Sequence, residues 1–247
     1  MSLGTINQRT QQVLKNLIER YIQDGCPIGS KTLAEECALG LSPATIRHIL
    51  ADLEETGYLA SPHASAGRVP TALGYRFFVD SLLAAKPIDS SNLTLSYLLQ
   101  STSLLLSSQN DQLKLADLLQ VAIKAFANSA EESKGYVMAG QTNLFSCTHL
   151  EANLEQLRLL FNAFNEKEAI LNLLDSALEA EGIQIFIGEE LGCEALDDCS
   201  IVASSYSMDG KLVGSLGVIG PTRMPYDKVI SAVDITAKLL SAALSQS

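Results

Sequence analysis

Apolar positions in the first third of the chain recur at helical spacing. Val13, Leu14, Leu17, Ile18, Tyr21 and Ile22 define one face of a helix that Gly25 and Pro27 stop. Ser30 is an N-cap candidate for a short second helix carrying Leu33, Ala34 and Cys37, closed by Gly40. Ser42-Pro43 is the strongest start signal in the chain: a capping side chain, then a proline whose fixed φ suits the first helical position. Behind it Ile46, Ile49, Leu50 and Leu53 form one stripe, and Gly57 fits the C-terminal cap. Tyr58, Leu59 and Ala60 on one side and Val69-Pro70 on the other flank the turn-rich stretch from Ser61 to Arg68, which predicts a short β-hairpin. Thr71 can cap a fourth helix bearing Leu73, Phe77, Phe78, Leu82 and Leu83.

Residues 86–110 read as a junction rich in Ser and Leu. Leu95, Leu98, Leu99, Leu105 and Leu106, then Leu115, Leu118, Leu119, Ala122 and Phe126, fit helices. Their apolar faces need a partner, either this chain's own core or a second copy. Beyond them the stretch from Leu157 to Leu178 is expected to be helical, and Ile183, Ile185 and Ile187 alternate as a strand. Ser200 to Tyr206 predicts another strand, and Asp209-Gly210 a tight turn into a third from Leu212 to Ile219. After Gly220-Pro221 a last helix carries Val229, Ile230, Val233, Ala237 and Leu240. The succession predicts an α+β protein in three parts: residues 1–83, a helical segment at 84–134, and an α+β domain at 135–247.

Composition narrows the class. Of 247 residues 47% are apolar and 18% charged, which excludes intrinsic disorder and leaves enough apolar side chains for a sizeable core. No apolar run reaches the roughly 18–20 residues of a membrane helix, and the first residues have neither the basic nor the apolar region of a secretory signal. Five cysteines without a CxxC pair fit inert thiols in a reducing cytosol. The formal net charge of −11 argues against a nucleic-acid partner until its distribution is considered. Residues 1–83 hold 7 basic and 8 acidic groups; the other 10 basic and 20 acidic groups follow.

Two helices joined by a tight turn, the second opened by Ser-Pro and followed by a basic hairpin, make the pattern of a winged helix-turn-helix. With Ile46, Ile49, Leu50 and Leu53 turned inward, the third helix presents Ala44, Thr45, Arg47, His48 and Ala51 outward. Small residues let such a helix enter a major groove about 12 Å wide, where Arg47 and His48 can donate to base edges. Ser42, at the helix N-terminus, suits a phosphate. Ser30, Lys31 and Thr32 are placed to grip the sugar-phosphate backbone, and His63, Ser65 and Arg68 on the hairpin to reach phosphate or the minor groove. An amphipathic helix with one Arg is also common in proteins of other kinds, and a Ser-, Ala- and Gly-rich turn can be plain surface. Glu35-Glu36 and Glu54-Glu55 must point away from a duplex for the reading to hold.

Other constellations favour structural roles. Gly214, Gly217 and Gly220 lack the Lys-Ser/Thr of a P-loop, so tight strand packing and a turn account for them better. Cys147, His149, Cys193 and Cys199 lack the paired close spacings of a zinc site. Gly188-Glu189-Glu190 reads as a turn. No Ser/His/Asp arrangement marks an enzyme, and neither cofactor nor metal is expected.

The strings Pro27-Ile28-Gly29-Ser30-Lys31-Thr32-Leu33-Ala34, Ser42-Pro43-Ala44-Thr45-Ile46-Arg47 and Pro62-His63-Ala64-Ser65-Ala66-Gly67-Arg68-Val69-Pro70-Thr71, with Gly74-Tyr75-Arg76, closely resemble the heat-inducible transcription repressor (HrcA) family. So do Asp198-Cys199-Ser200, the run from Gly214 to Met224, and Tyr226. The resemblance implies a cytoplasmic bacterial repressor that binds an inverted-repeat operator of chaperone operons as a homodimer. It also implies a GAF-like domain after the winged helix, and a chaperonin partner that keeps the repressor folded. Three departures stand out. His48 replaces the family's usual Asn, and Pro225 replaces an acidic residue. The region between the fourth helix and Gly135 is much shorter, so the GAF-like domain is reduced and its early strands and dimerising insertion are missing. That shortening keeps a second reading open: a protein-interaction or sensor module whose winged helix no longer reads DNA.

Overall fold

The computed structural model describes residues 6–36, 40–63, 66–85, 171–172, 174–175 and 182–245. The expected apolar faces at 95–126, most of the helix at 157–178, and Cys37, Cys147 and His149 lie outside them. The chain divides into two compact units, Met1–Ile88 with Thr222–Pro225, and Asp89–Pro221 with Tyr226–Ser247.

The first unit begins with helix α1, Gln8–Asp24. Asn7 caps it by accepting from the Thr10 amide at 2.8 Å, and Gly25 ends it in the left-handed conformation at φ 70°. Val13, Leu14, Leu17 and Ile18 are fully buried, each contributing about 1.5–3 kcal/mol through lost water contact. Helix α2 spans Ser30–Glu36. Ser30 is its first helical residue rather than its cap: the carbonyl of Gly29 accepts from the Leu33 amide, one residue earlier than the side-chain pattern implies.

Helix α3, Pro43–Glu55, starts as expected, with the Thr45 amide donating to Ser42 Oγ at 3.1 Å. Ile46, Ile49, Leu50 and Leu53 form its buried stripe. Thr56 takes the C-cap, and Gly57 follows it at φ 80°. Gly57 donates to the Glu54 carbonyl and Tyr58 to that of Leu53, the paired closure that needs a left-handed residue between them.

Strands β1, Leu59–Ala60, and β2, Val69–Pro70, form the hairpin, with Leu59 opposite Pro70 and Ala60 opposite Val69. Helix α4, Ala72–Ala85, is capped by Thr71, whose hydroxyl accepts from Gly74 N and donates to Gly57 O. Tyr58 stacks edge-to-face on Phe77 at 5.9 Å between centroids and ties the hairpin base to α4. Leu73, expected in the core, is exposed; Tyr75 and Val79 join Phe77 and Phe78 inside instead. The inward face of α4 therefore starts at Gly74, one residue later than the apolar count implies.

In the second unit, strand β3, Ile183–Ile187, pairs antiparallel with β4, Cys199–Met208, and β4 with β5, Lys211–Pro221. Both later strands outrun their predicted bounds. Asp209 and Gly210 join them with positive φ at both turn residues. Cys199 through Ser204 are all buried, so both faces of central β4 are covered. Helix α5, Tyr226–Leu244, packs on β4. Pro225 stands just before its first helical residue, and buried Tyr226 shares a 2.8 Å hydrogen bond with buried Ser200. Gly214, Gly217 and Gly220 sit inside β5 opposite Tyr206, Ala203 and Ser200. A Cβ at Gly217 would meet the Val202 carbonyl and the Ala203 methyl at 3.0 and 3.2 Å. Burial pushes the Tyr206 phenol above its ordinary pKa. Gly188-Glu189-Glu190 forms a single 3-10 turn, with Glu190 accepting from the Ile187 amide at 2.8 Å. No helix among the described residues is long and apolar enough to cross a membrane.

Candidate nucleic-acid interface

The cap that starts α3 also arranges its first turn. Ser42 Oγ lies 2.9 Å from Thr45 Oγ1 while accepting from the Thr45 amide, so both predicted contact residues first serve each other. Ser42→Ala should lower the protection of α3 amides against hydrogen exchange by about 1 kcal/mol. Unchanged protection there would deny the cap.

Past that turn the exposed side of α3 has two halves. Ala44, Arg47, His48 and Ala51 face solvent in the first, with Thr45 half-buried at its margin. The side chains of Arg47 and His48 make no hydrogen bond or ion pair among the described residues. Asp52 and Glu55 are exposed in the second half. Positive and small groups thus precede negative ones along one helix, and only the first half suits a polyanion. The positive end of the helix dipole lies at that same end.

The neighbouring predicted residues divide by exposure. Lys31 is 83% exposed and 3.8 Å from Glu35, a loose pair that leaves the ammonium in solvent. Ser30 and Thr32 are half-buried on α2, and His63 is exposed on the hairpin. Ser65 lies outside the described residues. Arg68 differs from all of these. Its Nη2 is 2.7 Å from Glu54 Oε2, its Nη1 is within 3.4 Å of Ser61 Oγ and of the Ala66 carbonyl, and its Nε is buried with no hydrogen-bond partner. The expected phosphate contact is therefore, in this geometry, turned inward.

Glu54 was missed by sequence reasoning as part of the site. Its helical phase carries the signal: it flanks the stripe of Ile46, Leu50 and Leu53, whereas Glu55 lies opposite that stripe. Ile28 was missed too. It forms an isolated antiparallel bridge with Arg68, and no local pattern announces a pairing between residues 40 positions apart.

A compact unit of helices closed by a hairpin, with one capped helix face turned to solvent, followed by an antiparallel α+β unit, defines a mixed α+β protein. The HrcA protein C terminal domain matches residues 86–230. Heat-inducible transcription repressor HrcA of Methylococcus capsulatus is 35% identical over 345 positions, covering 99% of this chain and 98% of that protein. Its namesake from Nitrosomonas eutropha is 35% identical, covering 97% of this chain and 100% of the relative. The chain belongs to the HrcA family, a family of heat-inducible transcription repressors and not of enzymes. An alignment of 345 positions exceeds the 247 residues of this chain, so the Methylococcus relative carries segments with no counterpart here. A crystal structure described only as a hypothetical protein at 2.2 Å resolution shares the fold, with a TM-score of 0.72 and 20% identity over 99% of both chains.

Proposed function

We propose that this protein is a sequence-specific DNA-binding repressor of chaperone operons, acting as a cytoplasmic homodimer on an inverted-repeat operator. The observation that carries the reading is the solvent-facing Arg47–His48 side of α3, with half-buried Thr45 at its margin, opposite a stripe buried to 9% exposure or less. In this reading the first unit is a winged helix-turn-helix, α3 enters the major groove by its N-terminal half, and Arg47 and His48 read base edges. Ser42 and Thr45 sit at the groove edge. Ser30, Lys31 and Thr32 hold the backbone at α2, and His63 and Ser65 hold it at the hairpin. The second unit is a reduced GAF-like domain, and a chaperonin is the partner that maintains the fold. Two copies are needed because one recognition helix spans too few base pairs for an operator, and a two-fold dimer matches a palindrome.

A retardation series with an inverted-repeat duplex, at several salt concentrations and with random competitor, tests the proposal. Specific retardation by a two-fold complex is the expected result; binding abolished by competitor would sink it. The segments this chain lacks relative to the Methylococcus repressor favour one second reading, an interaction module with no operator, which the competitor result would then support. Lys31→Ala should weaken operator and random duplex about equally and reduce the salt slope by about one. A loss confined to the operator would remove Lys31 from the backbone contacts.

A further inference from the structure

We propose that Arg68 is a positioning residue that locks the hairpin onto α3 and onto the start of α2, and does not itself hold a phosphate. The inference rests on the DNA-binding reading above and deepens it. Five bonds converge on this one residue, one of them from Nη1 to the Ala66 carbonyl of its own loop. Its main chain exchanges two hydrogen bonds with Ile28, Arg68 N to Ile28 O at 2.8 Å and Ile28 N to Arg68 O at 3.0 Å. Its guanidinium holds Glu54 of α3 at 2.7 Å and reaches Ser61 Oγ. Ser61 in turn donates to the His63 carbonyl at 2.9 Å, which also receives the Ala66 amide. A single side chain thus connects α3 to the loop that displays His63.

Charge makes the same argument. Glu54 and Arg47 lie two helical turns apart on one side of α3, so an unpaired Glu54 would stand on the flank that Arg47 offers to DNA. Arg68 neutralises that carboxylate. Were Arg68 to leave for a phosphate, it would abandon a part-buried carboxylate beside a polyanion, adding repulsion where attraction is needed. At 25% side-chain exposure its guanidinium is also far less available than the Lys31 ammonium.

Glu54→Gln in the full chain separates the two roles by sign. If Arg68 is a phosphate contact restrained by Glu54, removing the acid frees it, so operator binding tightens and the salt slope steepens. The lock requires a loss of operator affinity of about fivefold, with random-duplex binding and salt slope as in the parent. The double variant Glu54→Gln with Arg68→Gln, which removes both charges of the pair together, should show the same loss at unchanged slope, and the exchanged pair Glu54→Arg with Arg68→Glu should restore most of it. Amide hydrogen exchange on DNA-free protein is the independent readout. In Glu54→Gln the amides of Ile28 and Arg68 should exchange faster while that of Leu17 does not. Tighter operator binding by Glu54→Gln, a slope lowered in the double glutamine variant, or unchanged exchange at Ile28 and Arg68 would each overturn the lock. If the parent protein retards no operator, the DNA-binding reading fails, and the exchange measurement still decides whether the lock exists.

Discussion

Arg47→Ala is expected to lose operator affinity about 5- to 150-fold while keeping its hold on random duplex, as removal of a bidentate base contact does. The asymmetry follows from where the side chain stands. Arg47 projects from the half of α3 that carries only small or basic groups, and no acid among the described residues competes for its guanidinium. A base edge in the major groove offers it paired acceptors, whereas random duplex offers phosphate charge that Lys31 and the helix N-terminus still attract. Stability should change by less than about 0.5 kcal/mol, because an exposed side chain without partners leaves no cavity and no orphaned group. Fluorescence anisotropy with operator and scrambled duplexes at matched salt reads the two affinities. Equal losses on both would reduce Arg47 to one more backbone charge and leave base readout to His48 and Thr45.

How much of this site the sequence disclosed depends on the range of the interactions that build it. The α3 face was legible because everything that fixes it is local: the Ser42 cap, Pro43 at the first position, four apolar residues in phase, and the closure at Gly57. The hairpin was legible for the same reason, since its two short strands are bounded by turn residues and followed at once by the Thr71 cap. What stayed hidden is what the chain joins across distance. Arg68 is a basic residue on a Gly-flanked turn, and by residue type alone it reads as a phosphate ligand. Only the pairing with Ile28 and Glu54 turns it inward. Composition misled in the opposite direction at Glu54, which counts as a free negative charge in the sequence and is tied to Arg68 in the fold. In the second unit, alternation identified β3, but β4 is buried on both faces, so its period of two carries no phase information and its ends had to be found by pairing.

Gly67→Ala tests that long-range part of the site most severely. The hairpin backbone passes so close to Ile28 that a Cβ at residue 67 would overlap the Ile28 N, C and O atoms. Those are backbone atoms held in the bridge to Arg68, so no side chain can swing aside to make room. The bridge has to open, with loss of two main-chain hydrogen bonds worth about 1 kcal/mol each, and the displaced strand carries Arg68 away from Glu54. We expect a loss of about 2–4 kcal/mol of stability in the first unit, read as early exchange of the Ile28 and Arg68 amides and a lowered urea midpoint. Operator affinity should fall at least about tenfold at a temperature where α1 and α3 remain protected, because a wing freed from α3 no longer presents His63 in register with Arg47. A control with similar crowding exists in the same unit: a Cβ at Gly74 would strike the Tyr58 carbonyl oxygen, at the base of α4 rather than at the lock. Gly74→Ala should therefore destabilise the fold without releasing the Arg68 amide ahead of global unfolding. If the two variants opened the same amides in the same order, the Ile28–Arg68 bridge would be an ordinary part of the cooperative core and not a separate joint between the hairpin and α3.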